Sequence, residues 1–346
     1  MAYGRLLTSP AAATELVGLF KYQLELCNLK PGELCVVVTD TAFNPISAAA
    51  CLGAALDLGA EGYQMILPYS HPLPGKSLRG AWKDADLVVC MTTHRLHYRD
   101  EIREALGNGL RMLTAVEPMH SLQRLKGDHD VIRRTKAGAR LLDAARIIRV
   151  TSDDGTDLVM DKTGRPGFAL YGVADERGHM DFWGAGMATA AELEGSLEGR
   201  LVLNTGDVVF HLGRYVEHPV TITFREGQAV NFEGGLDAFL LEHFLRSFKD
   251  PKALMGGHMA WGTDHRAQWC APTVQFPDAG AGGLDIESYY GNVQIEIGSN
   301  NDIAFKGEND TAAHLGLCML NCNLFLDGHQ VIDHGEFVSR ELRRSP

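Results

Sequence analysis

Four short apolar runs, separated by helix-like segments, constrain the first half of this chain more than any other feature. They are Leu34–Val38, Tyr63–Leu67, Leu87–Met91 and Met112–Val116. A run apolar at every position fills both faces of a strand, so both faces of its sheet must be covered. The covering segments are also present. An amphipathic run from Ala11 to about Leu29 follows Ser9 and Pro10, an N-cap residue with proline at the first helical position, and Pro31 and Gly32 end it. Ile46–Leu58 is alanine-rich, Asp100–Leu106 reads as helix, and a charged helix is expected from about His129 to Ala145. Strand and helix in alternation predict a doubly wound, mainly parallel α/β domain over residues 1–150.

From Ile147 the texture changes. Ile147–Val150, Asp157–Met160, Phe168–Val173, Arg200–Leu203, Val208–Phe210 and Val220–Phe224 are strand-like, mostly divided by glycine-containing turns. One helix is expected at Asp237–Phe248, with Leu240, Leu241, Phe244, Leu245 and Phe248 at helical spacing. Residues 151–346 therefore read as a β-rich, barrel-like second domain, with a pocket expected at or near the junction of the two domains.

Composition removes several classes of function. A formal net charge of -12 argues against nucleic acid or an anionic membrane as partner, since both require clustered Lys and Arg. No segment approaches a membrane span, and the N-terminus lacks the apolar core of a signal peptide. Seven scattered cysteines, an odd number, fit a reducing cytoplasm. Cys318 and Cys322 match no zinc motif in spacing and read as small core residues. The first domain has neither a GxGxxG turn nor a Walker loop, so nucleotide binding is unsupported.

The residues with chemical potential gather toward the C-terminal end. His258 lies in a glycine-flanked segment, and His314 lies in an apolar run, Ala312–Leu326, that reads as strand, turn and strand. Arg266, Gln268, Trp269, Tyr289, Tyr290 and Asn292 are a polar and aromatic set suited to a small-molecule pocket. Taken alone, each histidine reads as a hydrogen-bonded structural residue rather than a ligand, and each aromatic equally as core.

The motifs narrow this. His258-Met259-Ala260-Trp261-Gly262, Arg266-Ala267-Gln268-Trp269, Tyr290-Gly291-Asn292, His314-Leu315 and Asn321-Cys322 resemble the 2,5-dihydroxypyridine 5,6-dioxygenases of nicotinate degradation. Those enzymes are similar in fold to the M29 metallo-aminopeptidases. The resemblance extends upstream through Ala85–Val89, Ala115–Pro118, Ala174–Glu176, Gly206-Asp207 and Gly234-Gly235, and so covers most of the chain. It implies a mononuclear non-haem Fe(II), an α/β domain followed by a β-rich domain, and a homo-oligomer. It also implies iron held by two histidines and an aspartate, the last two as His-x-Asp. His258 and His314 match the histidines.

The aspartate position is Gly316. Two His and one carboxylate leave open positions on iron for substrate and oxygen, so this departure bears directly on the chemistry. Three outcomes are open, in this order. Another acid takes the role, with Asp237, Glu233, Glu296 and Asp310 as candidates. Two histidines suffice with a ligand from solution. Or the metal is lost and the pocket reused.

The resemblance further implies a histidine after the strand Leu87–Met91, to move the proton of a substrate hydroxyl. His94 and His97 both lie there, and His97 fits the local pattern better; His265 is a third candidate. Trp261, Trp269 and Tyr290 suit stacking on a flat heterocycle, and Arg266 suits a substrate carboxylate or ring oxygen. The leading expectation is thus an Fe(II)-dependent dioxygenase that opens a hydroxylated aromatic or N-heteroaromatic ring with O2. The alternatives are an M29-like metal-dependent hydrolase of an amide or cyclic amide, and a metal-free small-molecule-binding homologue.

Overall fold

The structure is a computed structural model, and it describes residues 12–69, 75–93, 96, 99–270, 283–301 and 305–344. The expected helix start at Ser9 and Pro10 lies outside these residues. In chain order the strands are β1 (Leu34–Asp40), β2 (Glu61–Leu67), β3 (Leu87–Met91), β4 (Arg111–Thr114), β5 (Ile147–Thr151), β6 (Asp157–Asp161), β7 (Phe168–Leu170) and β8 (Met180–Phe182). They continue with β9 (Met187–Ala191), β10 (Glu198–Leu203), β11 (Val208–Val209), β12 (Arg214–Tyr215), β13 (Val220–Arg225) and β14 (Gln228–Glu233). The last six are β15 (Gly256–Gly262), β16 (Val293–Gly298), β17 (His314–Met319), β18 (Asn323–Leu326), β19 (His329–Asp333) and β20 (Glu336–Phe337).

The described residues divide into two units. The first runs to Asp128 and takes back Tyr171–Ala185. Its sheet has the order β2-β1-β3-β4-β8, and every pairing in it is parallel. The uniformly apolar β3 is buried along its whole length, as its composition requires. Helices Ala12–Leu26, Pro45–Asp57, Gly75–Trp82 and Asp100–Gly107 accompany these strands. The second begins with Asn44 accepting from the Ile46 N–H and with proline in its first turn, a capping arrangement that fixes where the helix starts.

The second unit comprises His129–Leu170 and the described residues from Gly186 onward. The division at Asp128, rather than near residue 150, follows from the helix His129–Ala144, which packs on β7 and β9 of the second unit. Gly138 permits that packing. A Cβ there would lie 2.9 Å from the Ala188 Cβ and 3.1 Å from Trp261 Cζ2. The expected barrel-like half is a pair of antiparallel sheets, ordered β14-β13-β10-β6-β5-β18-β19-β20 and β12-β11-β17-β16-β15-β9-β7. One apolar core lies between them. Ile148, Val150, Leu201, Ile222 and Phe224 from the first sheet share it with Met259, Trp261, Ile295, Leu315 and Leu317 from the second. Leu241 and Leu245 of helix Gly235–Ser247 complete it from the side.

Cys318 and Cys322 are buried among apolar side chains, and all seven cysteines are unbridged. Among the described residues no helix is long and apolar enough to cross a membrane.

Candidate metal centre

The seven-stranded sheet has one face in the core, and strand alternation makes the other face available for chemistry. Met259 and Trp261 of β15, Val293, Ile295 and Ile297 of β16, and Leu315, Leu317 and Met319 of β17 all point into the core. His258, Glu296 and His314 are out of phase with them and share the opposite face. Register aligns them laterally, because Glu296 pairs with Gly316 and Gly298 with His314 across β16 and β17. The result is a His-Glu-His group whose ligand atoms all lie within 4.8 Å of one another. His314 Nε2 lies 3.6 Å from Glu296 Oε2. The Glu296 carboxylate is 1% exposed.

The surroundings of His258 set its tautomer. The Thr189 hydroxyl donates its single proton to the Met259 carbonyl at 2.8 Å, so toward His258 Nδ1, at 3.3 Å, its oxygen accepts. The proton therefore sits on Nδ1, and Nε2 carries the lone pair that a metal requires. Burial, together with the neighbouring His314, pushes His258 well below the ordinary histidine range, so the ring is neutral near pH 7. Phe305 stacks on it at 4.4 Å between ring centroids. The His258 and His314 rings are 5.5 Å apart.

His211 is a participant that sequence reasoning missed. It sits in the 3-10 turn Phe210–Leu212 directly after β11, with its ring edge-on to His314 at 4.9 Å. Its Nδ1 accepts the Gly316 N–H at 3.0 Å, which leaves the proton of the neutral imidazole on Nε2. Beside it, Val208, Ile286 and Cys318 form an apolar group with Phe210, Tyr215 and Trp269 on the same side of the sheet. Cys318 is two residues from Gly316 and shares its face.

The other expected site residues are distributed differently. Trp269 belongs to that apolar group, with Nε1 donating to the Gly206 carbonyl at 2.9 Å and its ring edge-on to Tyr289. Trp261 is wholly buried on the core face, opposite to His258. Arg266 is held by Asp264 through two hydrogen bonds, of 2.9 and 2.6 Å. Tyr290 packs edge-on against Phe337, beneath the Arg134 guanidinium. His265 Nδ1 accepts from Arg134 at 2.7 Å and is not in the metal-binding group. His94 and His97 lie outside the described residues.

Of the four candidate acids, only Glu296 joins the histidines. Asp237 is committed to Arg214 at 2.7 Å and to the backbone N–H groups of Glu217 and His218. Glu233 is exposed at the end of β14. Asp310 is exposed and accepts from Asn301. A signal for Glu296 was present in the sequence. Val293-Gln294-Ile295-Glu296-Ile297 alternates strictly between apolar and polar, the pattern of a strand with one polar face.

This constellation sits in a chain with close relatives. The profile of the family described as 2,5-dihydroxypyridine 5,6-dioxygenase matches residues 15–339. A Pseudomonas putida KT2440 protein named 2,5-dihydroxypyridine 5,6-dioxygenase is 30% identical over an alignment 353 positions long, which covers 97% of this chain and 99% of that protein. The solved structure of 2,5-dihydroxypyridine dioxygenase from the same organism superposes with a TM-score of 0.87 at 29% identity, covering 96% of this chain and 99% of the other. Wild-type AmpT from Thermus thermophilus superposes with a TM-score of 0.65 at 12% identity, over 94% of this chain and 99% of AmpT; there the fold alone is shared. The match in sequence reaches from the first helix past β20 and includes all three strands of the His-Glu-His group, and so the chain belongs to the 2,5-dihydroxypyridine 5,6-dioxygenase family.

Proposed function

We propose that this protein is a ring-cleaving dioxygenase that uses Fe(II) and O2 to open a dihydroxypyridine or a closely related hydroxylated N-heteroaromatic ring. The observation that carries the reading is the His258-Glu296-His314 group, on the strands of a family member, with two half-buried imidazoles and one buried carboxylate converging. That donor set fits an iron that must keep coordination positions open. Fe(II), when bound, supplies the one-electron chemistry that lets a singlet aromatic substrate react with triplet O2.

The chain's own residues supply the setting. His258 and His314 present ring nitrogens from two strands fixed by pairing, so the donor positions do not depend on a loop. Glu296 brings one negative charge and lowers the net charge of the centre. His211, with its proton on Nε2, offers a neutral donor beside His314 for an anionic oxygen. Phe210, Tyr215 and Trp269 give the same sheet face an apolar, aromatic flank suited to a flat ring. Asp264 holds the Arg266 guanidinium in a fixed orientation. The same reading makes the protein a cytoplasmic homo-oligomer, supported by its unbridged cysteines and by the resemblance of its motifs.

Thr189 orients a ligand without being one. Replacing it with Val keeps the shape and removes the acceptor for His258 Nδ1–H. Thr189→Val is expected to weaken Fe(II) binding by roughly 10-fold to 100-fold while the fold is retained. Anaerobic metal titration beside a thermal melt checks this.

The function itself is tested by oxygen consumption. Protein loaded anaerobically with Fe(II) is mixed with 2,5-dihydroxypyridine in 18O2, alongside Zn(II)-loaded and chelated protein. Iron-specific uptake, with both labelled atoms in a ring-opened product, is the expected result. Hydrolysis of an amide by the zinc form without oxygen uptake, or an inert iron form, would overturn the reading.

A further inference from the structure

We infer that the carboxylate of this centre has moved one strand over: Glu296 on β16 takes the place of a side chain at position 316, and Gly316 is the space that admits it. The inference rests on the reading that the His-Glu-His group holds a divalent metal, and it concerns the source of the third donor.

Two observations place the carboxylate where residue 316 would otherwise be. Glu296 and Gly316 are direct cross-strand partners on the same sheet face. A Cβ on Gly316 would stand 2.8 and 2.9 Å from the two carboxylate oxygens and 3.2 Å from the carbon that joins them. Carbon does not approach oxygen that closely without something shifting. A side chain at position 316 would therefore require the Glu296 carboxylate to move from where it now stands. The chemistry agrees. Neighbouring strands are about 4.8 Å apart, and glutamate has the extra methylene needed to bring a carboxylate across to a spot that the shorter aspartate reaches from the nearer strand. Donor type, charge and count are preserved: two neutral nitrogens and one carboxylate. The Gly316 N–H remains available and is used, since His211 accepts it. The loss of the acid from His-x-Asp is thus a relocation of the acid.

A swap of the two side chains tests this. Apoprotein of the full chain is titrated anaerobically with Fe(II), and with Co(II) to read the absorption of the bound ion, without substrate or oxygen. Glu296→Gln is expected to lower affinity by on the order of 100-fold. Gly316→Asp alone also lowers it, because the two side chains compete for one space. Glu296→Ala combined with Gly316→Asp is expected to regain at least 10-fold over Glu296→Ala and to return the Co(II) spectrum toward that of the parent. Thermal melts confirm folding, and Glu296→Gln decides alone if the swap does not fold. Wild-type affinity in Glu296→Gln, or no gain from the swap, overturns the relocation. His258→Ala and His314→Ala separate the two ideas. If they lose metal while Glu296→Gln keeps it, only the relocation fails; if neither loses metal, the centre itself is elsewhere.

Discussion

Alanine at His258 or at His314 is expected to abolish iron retention and to lower kcat/KM for 2,5-dihydroxypyridine by on the order of 10^3-fold or more, equivalent to about 4 kcal/mol of transition-state stabilisation. Each imidazole is one of three donors converging within 4.8 Å, and no other histidine or acid joins that group among the described residues. The loss should be functional and not structural. His258 and His314 face away from the core, which is filled by their strand neighbours Met259, Trp261, Leu315 and Leu317. Removing either ring leaves that core untouched, so the thermal midpoint of the metal-free variants should stay within a few degrees of the metal-free parent. The double variant should be no worse than either single variant, because donors acting on one ion function as a unit. The measurements are metal content after gel filtration and oxygen uptake. A single variant that keeps both wild-type iron content and turnover would remove the centre from the mechanism.

The two-part architecture was legible because it is written locally. Apolar runs such as Leu87–Met91 and the alternation of strand and helix need no knowledge of distant residues, and the structure keeps those strands where their composition predicts them. The motifs singled out His258 and His314, and with them the departure at Gly316. Which acid stands beside the two histidines was not legible. Asp237, Glu233, Glu296 and Asp310 differ little as letters, and the choice among them is made by register: Glu296 is opposite Gly316 only because β16 pairs with β17 at that offset. His211 was hidden for the same reason, since its partner is a backbone N–H 105 residues away. Trp261 shows the reverse case. It lies three residues from His258 in a strongly matching motif, yet on a strand that odd spacing turns it to the opposite face, where it fills the core beneath Gly138. The return of Tyr171–Ala185 to the first unit was equally invisible, because β8 is too short to advertise a partner in a sheet completed much earlier in the chain.

Glu192 should give the protein a pH-dependent stability that one substitution removes. This residue directly follows β9 and is 1% exposed, and its Oε1 has no hydrogen-bond partner among the described residues. Burial pushes its carboxyl up to about 8 from an ordinary 4.5, with the Glu194 carboxylate adding to the effect. The folded chain thus holds this proton over a range in which the unfolded chain has released it. Stability from this source is greatest below about pH 4.5, falls as pH rises, and levels off above about pH 8, with a total span of about 5 kcal/mol. Asp207, pushed up to about 6 mainly by burial, drives stability in the same direction over a narrower and more acidic window. A difference profile separates the two. Glu192→Gln keeps the size and neutral form of the protonated side chain and cannot ionise. Urea unfolding of the chelated protein at pH 5, 7 and 9 keeps metal linkage out of the comparison. The variant is expected to gain on the parent progressively across that range, reaching a few kcal/mol at pH 9, while the Asp207 contribution cancels. Parallel profiles would mean instead that Glu192 ionises as readily in the folded protein as in the unfolded chain.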